Sequence, residues 1–314
     1  MKTINSIGSA KQIVYEVSKV IVGKDEVIIK MLLAILARGH ILMEDIPGVG
    51  KTTMALAFSR ALGLDYNRVQ FTPDVLPSDI TGYSIYDKNT GKMIYQRGAI
   101  LCNLFLADEL NRATSRTQSA LLQAMEEGEV TVDNVTYPVP QPFMVIATQN
   151  PIGAKGTQML PDSQLDRFMI RLTMGYPDPQ AEAEMIRRKQ QGISLEQVQQ
   201  VVSREELIRI CAEAEQVYIK DSLIDYIVKL CTATRNDSRI LQGASPRAAL
   251  SLTSLAKAAA WIQGRDYVVP SDIRFVFADS IQHRLIWASD NLSYRRQYSV
   301  VEELFASVRA PEIR

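Results

Sequence analysis

The sequence predicts an α/β fold in which a five-stranded parallel sheet is covered by helices and followed by a second, helical domain. Three observations predict it. Between residues 40 and 175 short apolar runs alternate with segments whose apolar residues recur three and four apart, the habit of strands joined by crossover helices. The segment Gly175-Tyr176-Pro177-Asp178-Pro179 then interrupts regular structure twice. Beyond it strand signals are sparse and helical periodicity dominates, as at 222–234 and 246–262.

In chain order, a helix over 24–37 precedes a strand at 40–43, and a helix over 52–62 follows it. Further strands are expected at 69–72, 104–107, 143–148 and 168–173, with a helix over 115–127. Each strand is short and apolar, as strands buried on both faces are. Residues 85–95 place an Asn/Gly turn between β-prone arms, and 130–137 do the same around Asp133-Asn134. Both read as hairpins that project from the core instead of extending its sheet. The expected division is an α/β core over 1–178 and a helical domain over 179–314.

The 314 residues are 46% hydrophobic and 22% charged, which excludes wholesale disorder. Lys and Arg total 35 and so do Asp and Glu, so no net charge favours a polyanionic partner. Cys102, Cys211 and Cys231 have no close spacing and argue against a disulfide frame or a zinc site. Two histidines, His40 and His283, are too few for an imidazole cluster. The first twenty residues lack a signal-peptide core, and no run approaches the ~18 apolar residues of a membrane span. A soluble, cytoplasmic protein is the expectation.

The stretch Ile41-Leu-Met-Glu44-Asp45-Ile-Pro47-Gly48-Val49-Gly50-Lys51-Thr52-Thr53 is an apolar strand, a glycine turn and a helical run, the context of a phosphate-binding loop. Gly48 and Gly50 let backbone N–H groups turn toward an anion at a helix N-terminus. Lys51 would reach the β- and γ-phosphates, and Thr52 would offer Mg²⁺ a hydroxyl. The usual pattern has a glycine where this chain has Asp45, so the entrance to the loop is expected to differ. Cys102-Asn-Leu104-Phe-Leu-Ala107-Asp108-Glu109 is an apolar strand ending in two acids, suited to a metal-holding Asp108 and a water-activating Glu109. Parallel strands would bring Lys51, Thr52, Asp108 and Glu109 to one sheet edge.

With these motifs the chain resembles the MoxR family of AAA+ ATPases over nearly its whole length. Residues 45–52 resemble that family's Walker A loop, and Leu106-Ala-Asp-Glu-Leu-Asn111-Arg112-Ala its Walker B strand. Val145-Ile-Ala-Thr-Gln-Asn150-Pro151 is similar to the strand carrying sensor 1, which implies that Asn150 faces the γ-phosphate or the attacking water. Leu160-Pro-Asp-Ser-Gln-Leu-Asp166-Arg167-Phe168 resembles the segment that supplies an arginine finger, a role carried to Arg167, with Arg171 and Arg112 left open as alternatives. Gly243-Ala-Ser245-Pro246-Arg247 resembles sensor 2, implying that Ser245 caps a helix, Pro246 fills its first turn and Arg247 faces the phosphates. Ile21-Val22-Gly23-Lys24 resembles the segment beside the adenine. The resemblance also places the two hairpins toward a pore or a client.

The resemblance implies ATP or ADP with Mg²⁺ as cofactors and a homo-oligomeric ring, expected as a hexamer. It further implies client proteins, including those with a von Willebrand factor A domain. A nucleic-acid-dependent motor is the first alternative, disfavoured by the neutral charge and the lack of a basic, aromatic-rich stretch. A nucleotide-gated scaffold with little turnover is disfavoured by the Asp108-Glu109 pair. A GTPase is disfavoured by the lack of an Asn-Lys-x-Asp segment.

Overall fold

The computed structural model describes residues 2–150, 160–289 and 293–312. Two helices, α1 (Lys2–Ser18) and α2 (Asp25–Leu36), precede β1 (Ile41–Glu44) and α3 (Lys51–Ala61). Then come β2 (Tyr66–Gln70), the short α4 (Pro77–Thr81) and a hairpin of β3 (Gly82–Asp87) and β4 (Lys92–Arg97). β5 (Leu104–Asp108) and α5 (Ser115–Glu127) lead to a second hairpin, β6 (Glu129–Val132) and β7 (Val135–Pro138). β8 (Met144–Gln149), the short α6 (Asp162–Leu165) and β9 (Ile170–Leu172) complete this part.

The main sheet has the order β2-β5-β8-β1-β9, and every neighbouring pair is parallel. Central strands β5 and β8 are buried throughout, which is why their sequences read as continuous apolar runs. Alternate residues feed opposite faces. Leu104 and Leu106 join the core with α2 and α3, whereas Phe105 and Ala107 join the one with α5. The edge strand β2 differs from expectation: it runs from Tyr66 to Gln70 rather than over 69–72, and all of it is half-buried or exposed. An edge strand needs no apolar run on both faces, so its first half gave no periodic signal.

The two hairpins form separate two-stranded sheets, as expected, and they touch: Tyr95 stacks on Tyr137 with ring centroids 3.9 Å apart. α1 was not anticipated. It buries Ala10, Ile13 and Val17 at spacings of three and four against the same core as α3.

The remaining helices are α7 (Pro179–Gln190), α8 (Arg204–Glu215), α9 (Asp221–Asn236), α10 (Pro246–Ile262), α11 (Pro270–Ile281) and α12 (Tyr294–Ser307). A small antiparallel pair, β10 (Ile240–Gln242) and β11 (Ile286–Trp287), lies among them. Residues 173–178 run without helix or strand into α7, whose N-cap Asp178 accepts a bond from the Ala181 N–H at 2.8 Å. One apolar cluster nevertheless continues from α1 and α2 into α8, α9, α10 and α11, so the helical part shares its core with the start of the chain. Among the described residues no helix is long and apolar enough to cross a membrane.

Candidate functional site

The carboxyl ends of β1, β5 and β8 meet at one sheet edge because the strands are neighbours in register: Glu44 lies opposite Gln149, and Ala107 opposite Ala147. A cavity of about 370 Å³ opens there. Pro47, Gly48, Gly50, Lys51, Thr52 and Thr53 line one side; Arg68, Gln70, Asp108, Glu109, Thr148, Gln149 and Asn150 line the rest. The size suits a polar cofactor.

The loop between β1 and α3 turns through Gly48 at φ +86° and Gly50 at φ +96°, angles at which a side chain is strained. Gly50 precedes α3 with no side-chain cap, which leaves the first-turn N–H groups open to an anion at the positive end of the helix dipole. Lys51 Nζ donates to the carbonyls of Asp45 at 2.7 Å and Ile46 at 3.2 Å. Burial pushes the pKa of Lys51 down, against the pull of Asp45, Asp108 and Glu109. A phosphate in the cavity would restore the favoured charged state.

Asp45, where a glycine is usual, is only 5% exposed. Its carboxylate accepts bonds from the N–H groups of Ile46 at 2.9 Å, Met174 at 2.5 Å and Gly175 at 2.8 Å. The loop is thereby tied to the chain leaving β9. Lys24 grips the same segment from its other side, donating to the carbonyls of Met174 and Tyr176.

The acidic pair is held by Thr148 of β8. Its hydroxyl donates to Asp108 Oδ1 at 2.6 Å and accepts from the Glu109 N–H at 2.8 Å. Glu109 sits in the left-handed region at φ +57°, a conformation that costs a non-glycine residue ~1–2 kcal/mol. Its carboxylate pairs with Arg112 at 2.9 Å. Asp108 Oδ2 accepts from Arg68 Nη2 at 2.7 Å and Nε at 3.2 Å. Asn150 follows β8 directly, and its carbonyl accepts a bond from Asn111 Nδ2 at 3.3 Å. Pro151 lies outside the described residues.

Thr52 and Asp108 offer the hard oxygens that Mg²⁺ takes. Among the described residues no three His, Cys, Asp or Glu side chains cluster to hold a metal by themselves. That donor set fits an ion shared with a phosphate ligand, the usual habit of Mg²⁺.

Several expected residues lie elsewhere. Val49 packs against the core beside the loop. Val22 and Gly23 do not line the cavity; the apolar neighbours of Gly50 are Ile21 and Met174, each 3.8 Å from where a Cβ would stand. Gly23, at φ +69°, instead admits α7, because a Cβ there would come 2.6 Å from Ala181 Cβ. Arg167 and Arg247 also lie away from this cavity. Both pair with Glu126 of α5, and Arg167 lines a separate cleft with Leu122 and Glu126. The cause is the seating of α10. Its N-cap Ser245, bonded to the Ala248 N–H, also donates to Asp166 at 2.9 Å, which fixes the start of α10 on the Arg167 segment. Arg284 pairs with the same Asp166. Of the other cations considered for the finger, Arg171 is buried in a pair with Glu44 at 2.7 Å, and Arg112 serves its own Glu109.

Sequence reading missed Arg68, the linking role of Thr148 and the partners of Asp45. Thr148 had a signal, the first polar residue after an apolar strand run. Arg68 had none, since it falls in the part of β2 that lacks periodicity.

A glycine loop opening α3, an acidic pair ending β5 and a polar residue after β8, on a parallel sheet with a helical domain behind it, define the AAA+ class of P-loop proteins. Residues 40–170 match the family described as "ATPase family associated with various cellular activities (AAA)", and residues 232–304 match the AAA lid domain. The chain is 42% identical to the uncharacterized protein YeaC of Bacillus subtilis, over 95% of this chain and 93% of that one. It is 38% identical to Chaperone MoxR1 of Mycobacterium tuberculosis, over 98% and 84% respectively. The crystal structure of a "putative ATPase" from Cytophaga hutchinsonii superposes with a TM-score of 0.90 at 39% identity, covering 99% of this chain and 97% of that one. The chain belongs to the MoxR family of AAA+ ATPases.

Proposed function

We propose that the protein is a Mg²⁺-dependent ATPase that assembles into a ring, a hexamer, and uses ATP turnover to remodel or mature client proteins. The observation that carries the reading is a division of labour. The cavity holds Lys51, Thr52, Asp108, Glu109 and Asn150, while Arg167 and Arg247 sit together on a different face. In this reading Lys51 and the loop N–H groups hold the triphosphate, Thr52 and Asp108 hold the metal, and Glu109 deprotonates the attacking water, which Asn150 positions. Mg²⁺ would draw charge from the transferring phosphoryl group. Arg167 and Arg247 of one subunit complete the site of the next, so turnover depends on neighbours.

Client contact is assigned to the β3–β4 hairpin, where Tyr83, Ile85, Tyr86, Met93 and Ile94 are exposed together. Proteins with a von Willebrand factor A domain are the client class that the family suggests, and the name of the mycobacterial relative supports a chaperone-like role.

The test is phosphate release from MgATP as a function of protein concentration, alongside size analysis with and without nucleotide. Activity per subunit should rise as assemblies form. A rate per subunit that stays constant down to the monomer would overturn the ring, and no phosphate release from assembled protein would overturn the enzyme.

A further inference from the structure

We infer that Arg68 is a further residue of the nucleotide site, one that occupies the metal's place on Asp108 while Mg²⁺ is absent and turns to the triphosphate when the metal binds. This rests on the reading of the site as a MgATP site and adds to it a residue that neither the loop nor the acidic pair supplies.

Three observations carry it. Arg68 lies in β2 opposite Leu106 of β5, and it lines the same cavity as Lys51, Thr52 and Glu109. Both of its bonds to Asp108, from Nη2 at 2.7 Å and Nε at 3.2 Å, end on the single oxygen Oδ2. The other oxygen, Oδ1, is already taken by the Thr148 hydroxyl at 2.6 Å. Both carboxylate oxygens therefore carry a hydrogen bond already, and the bonds on Oδ2 come from a cation.

Mg²⁺ binds carboxylate oxygen at about 2.1 Å, and a second cation cannot share that oxygen without strong repulsion. A metal held on Oδ2, directly or through a water, would compete with Arg68. The Arg68 side chain is 41% exposed, so it has room to move, while its partner Asp108 is buried. Within the cavity the charges of Lys51 and Arg68 are matched by Asp108 and Glu109. Once the metal compensates Asp108, and with the Glu109 carboxylate already paired to Arg112, the freed guanidinium can turn to phosphate oxygen, which it binds bidentately.

Exchange of this kind makes two opposite predictions for a neutral residue at position 68. Arg68→Ala should bind Mn²⁺, used as a probe for Mg²⁺, about tenfold more tightly in the ADP complex, because the competing cation is gone. The same variant should lose about tenfold in its preference for ATP over ADP at saturating metal, because a phosphate contact is gone. Arg68→Lys should recover part of the ATP preference. Mn²⁺ titration followed by electron paramagnetic resonance and binding of fluorescent ATP and ADP analogues read the two effects without turnover. Arg68→Gln, which keeps more of the side chain's bulk, carries the same prediction should the alanine variant fold poorly. Metal affinity and ATP preference both within twofold of the parent protein would overturn the inference, as would metal binding that weakens. Parent protein that binds neither Mn²⁺ nor nucleotide would instead overturn the MgATP reading beneath it.

Discussion

Arg167 and Arg247 meet on one carboxylate: Glu126 Oε2 lies 3.2 Å from Arg167 Nη1, and Glu126 Oε1 lies 2.6 Å from Arg247 Nη2. One arginine comes from the segment before β9 and the other from the first turn of α10, so a single glutamate gathers cations from both parts of the chain. If they serve the neighbouring subunit's nucleotide, Arg167→Ala should lower kcat by ~10³ or more while leaving nucleotide affinity nearly unchanged. Mixing Arg167→Ala with Lys51→Ala subunits should restore part of the activity, because a mixed interface pairs an intact loop with an intact finger. Absence of any recovery on mixing would assign the finger to its own chain.

Lys51→Ala should abolish nucleotide binding. Glu109→Gln should retain ATP and slow hydrolysis about 10²- to 10⁴-fold. Fluorescent-nucleotide titration and phosphate release separate the two effects. Thr148→Val should fall between the parent and Glu109→Gln in rate, since the hydroxyl that fixes both acids is lost while the loop is untouched.

Asp45→Gly would restore the usual loop pattern, yet it should destabilise the protein by about 2–4 kcal/mol. The buried Met174 N–H and the half-buried Gly175 N–H lose their acceptor, and an unpaired buried donor costs about 1–3 kcal/mol. Urea unfolding measures this. A glycine variant as stable as the parent would show that the carboxylate is dispensable to the fold.

Acid should weaken the fold through His40. Its Nδ1 accepts the Val145 N–H at 3.0 Å, which leaves Nε2 to donate to the Met125 carbonyl at 3.1 Å, so only the neutral ring satisfies both partners. Burial pushes the pKa down to about 4 from 6.5, partly opposed by the bond to Met125. Between those values the unfolded chain binds the extra proton, so stability falls as pH drops from 6.5 toward 4. The loss from His40 approaches about 3 kcal/mol at the low end. His283, also lowered by burial, acts in the same direction. Urea unfolding at stepped pH should show the decline, and His40→Gln should flatten part of it.

Much of this architecture was legible in the chain. The helix at 115–127 and the one at 246–262 coincide with α5 and α10, because apolar spacing and the caps Thr114 and Ser245 are local signals. The glycine loop was legible for the same reason, since positive φ at Gly48 and Gly50 is a property of those residues. β2 was placed late because an edge strand can be polar where it meets a cavity, and Arg68 was lost with it.

What neighbouring residues impose on one another, the strand runs, the loop, the acidic strand end, could be read in order along the chain. Packing decided the rest. Asp45 finds its partners 129 and 130 positions later, and the start of α10 is seated on Asp166, away from the cavity at the glycine loop. No periodicity encodes such pairings, because the energy that selects them arises only when the shared core brings distant backbone and side chains to within bonding distance.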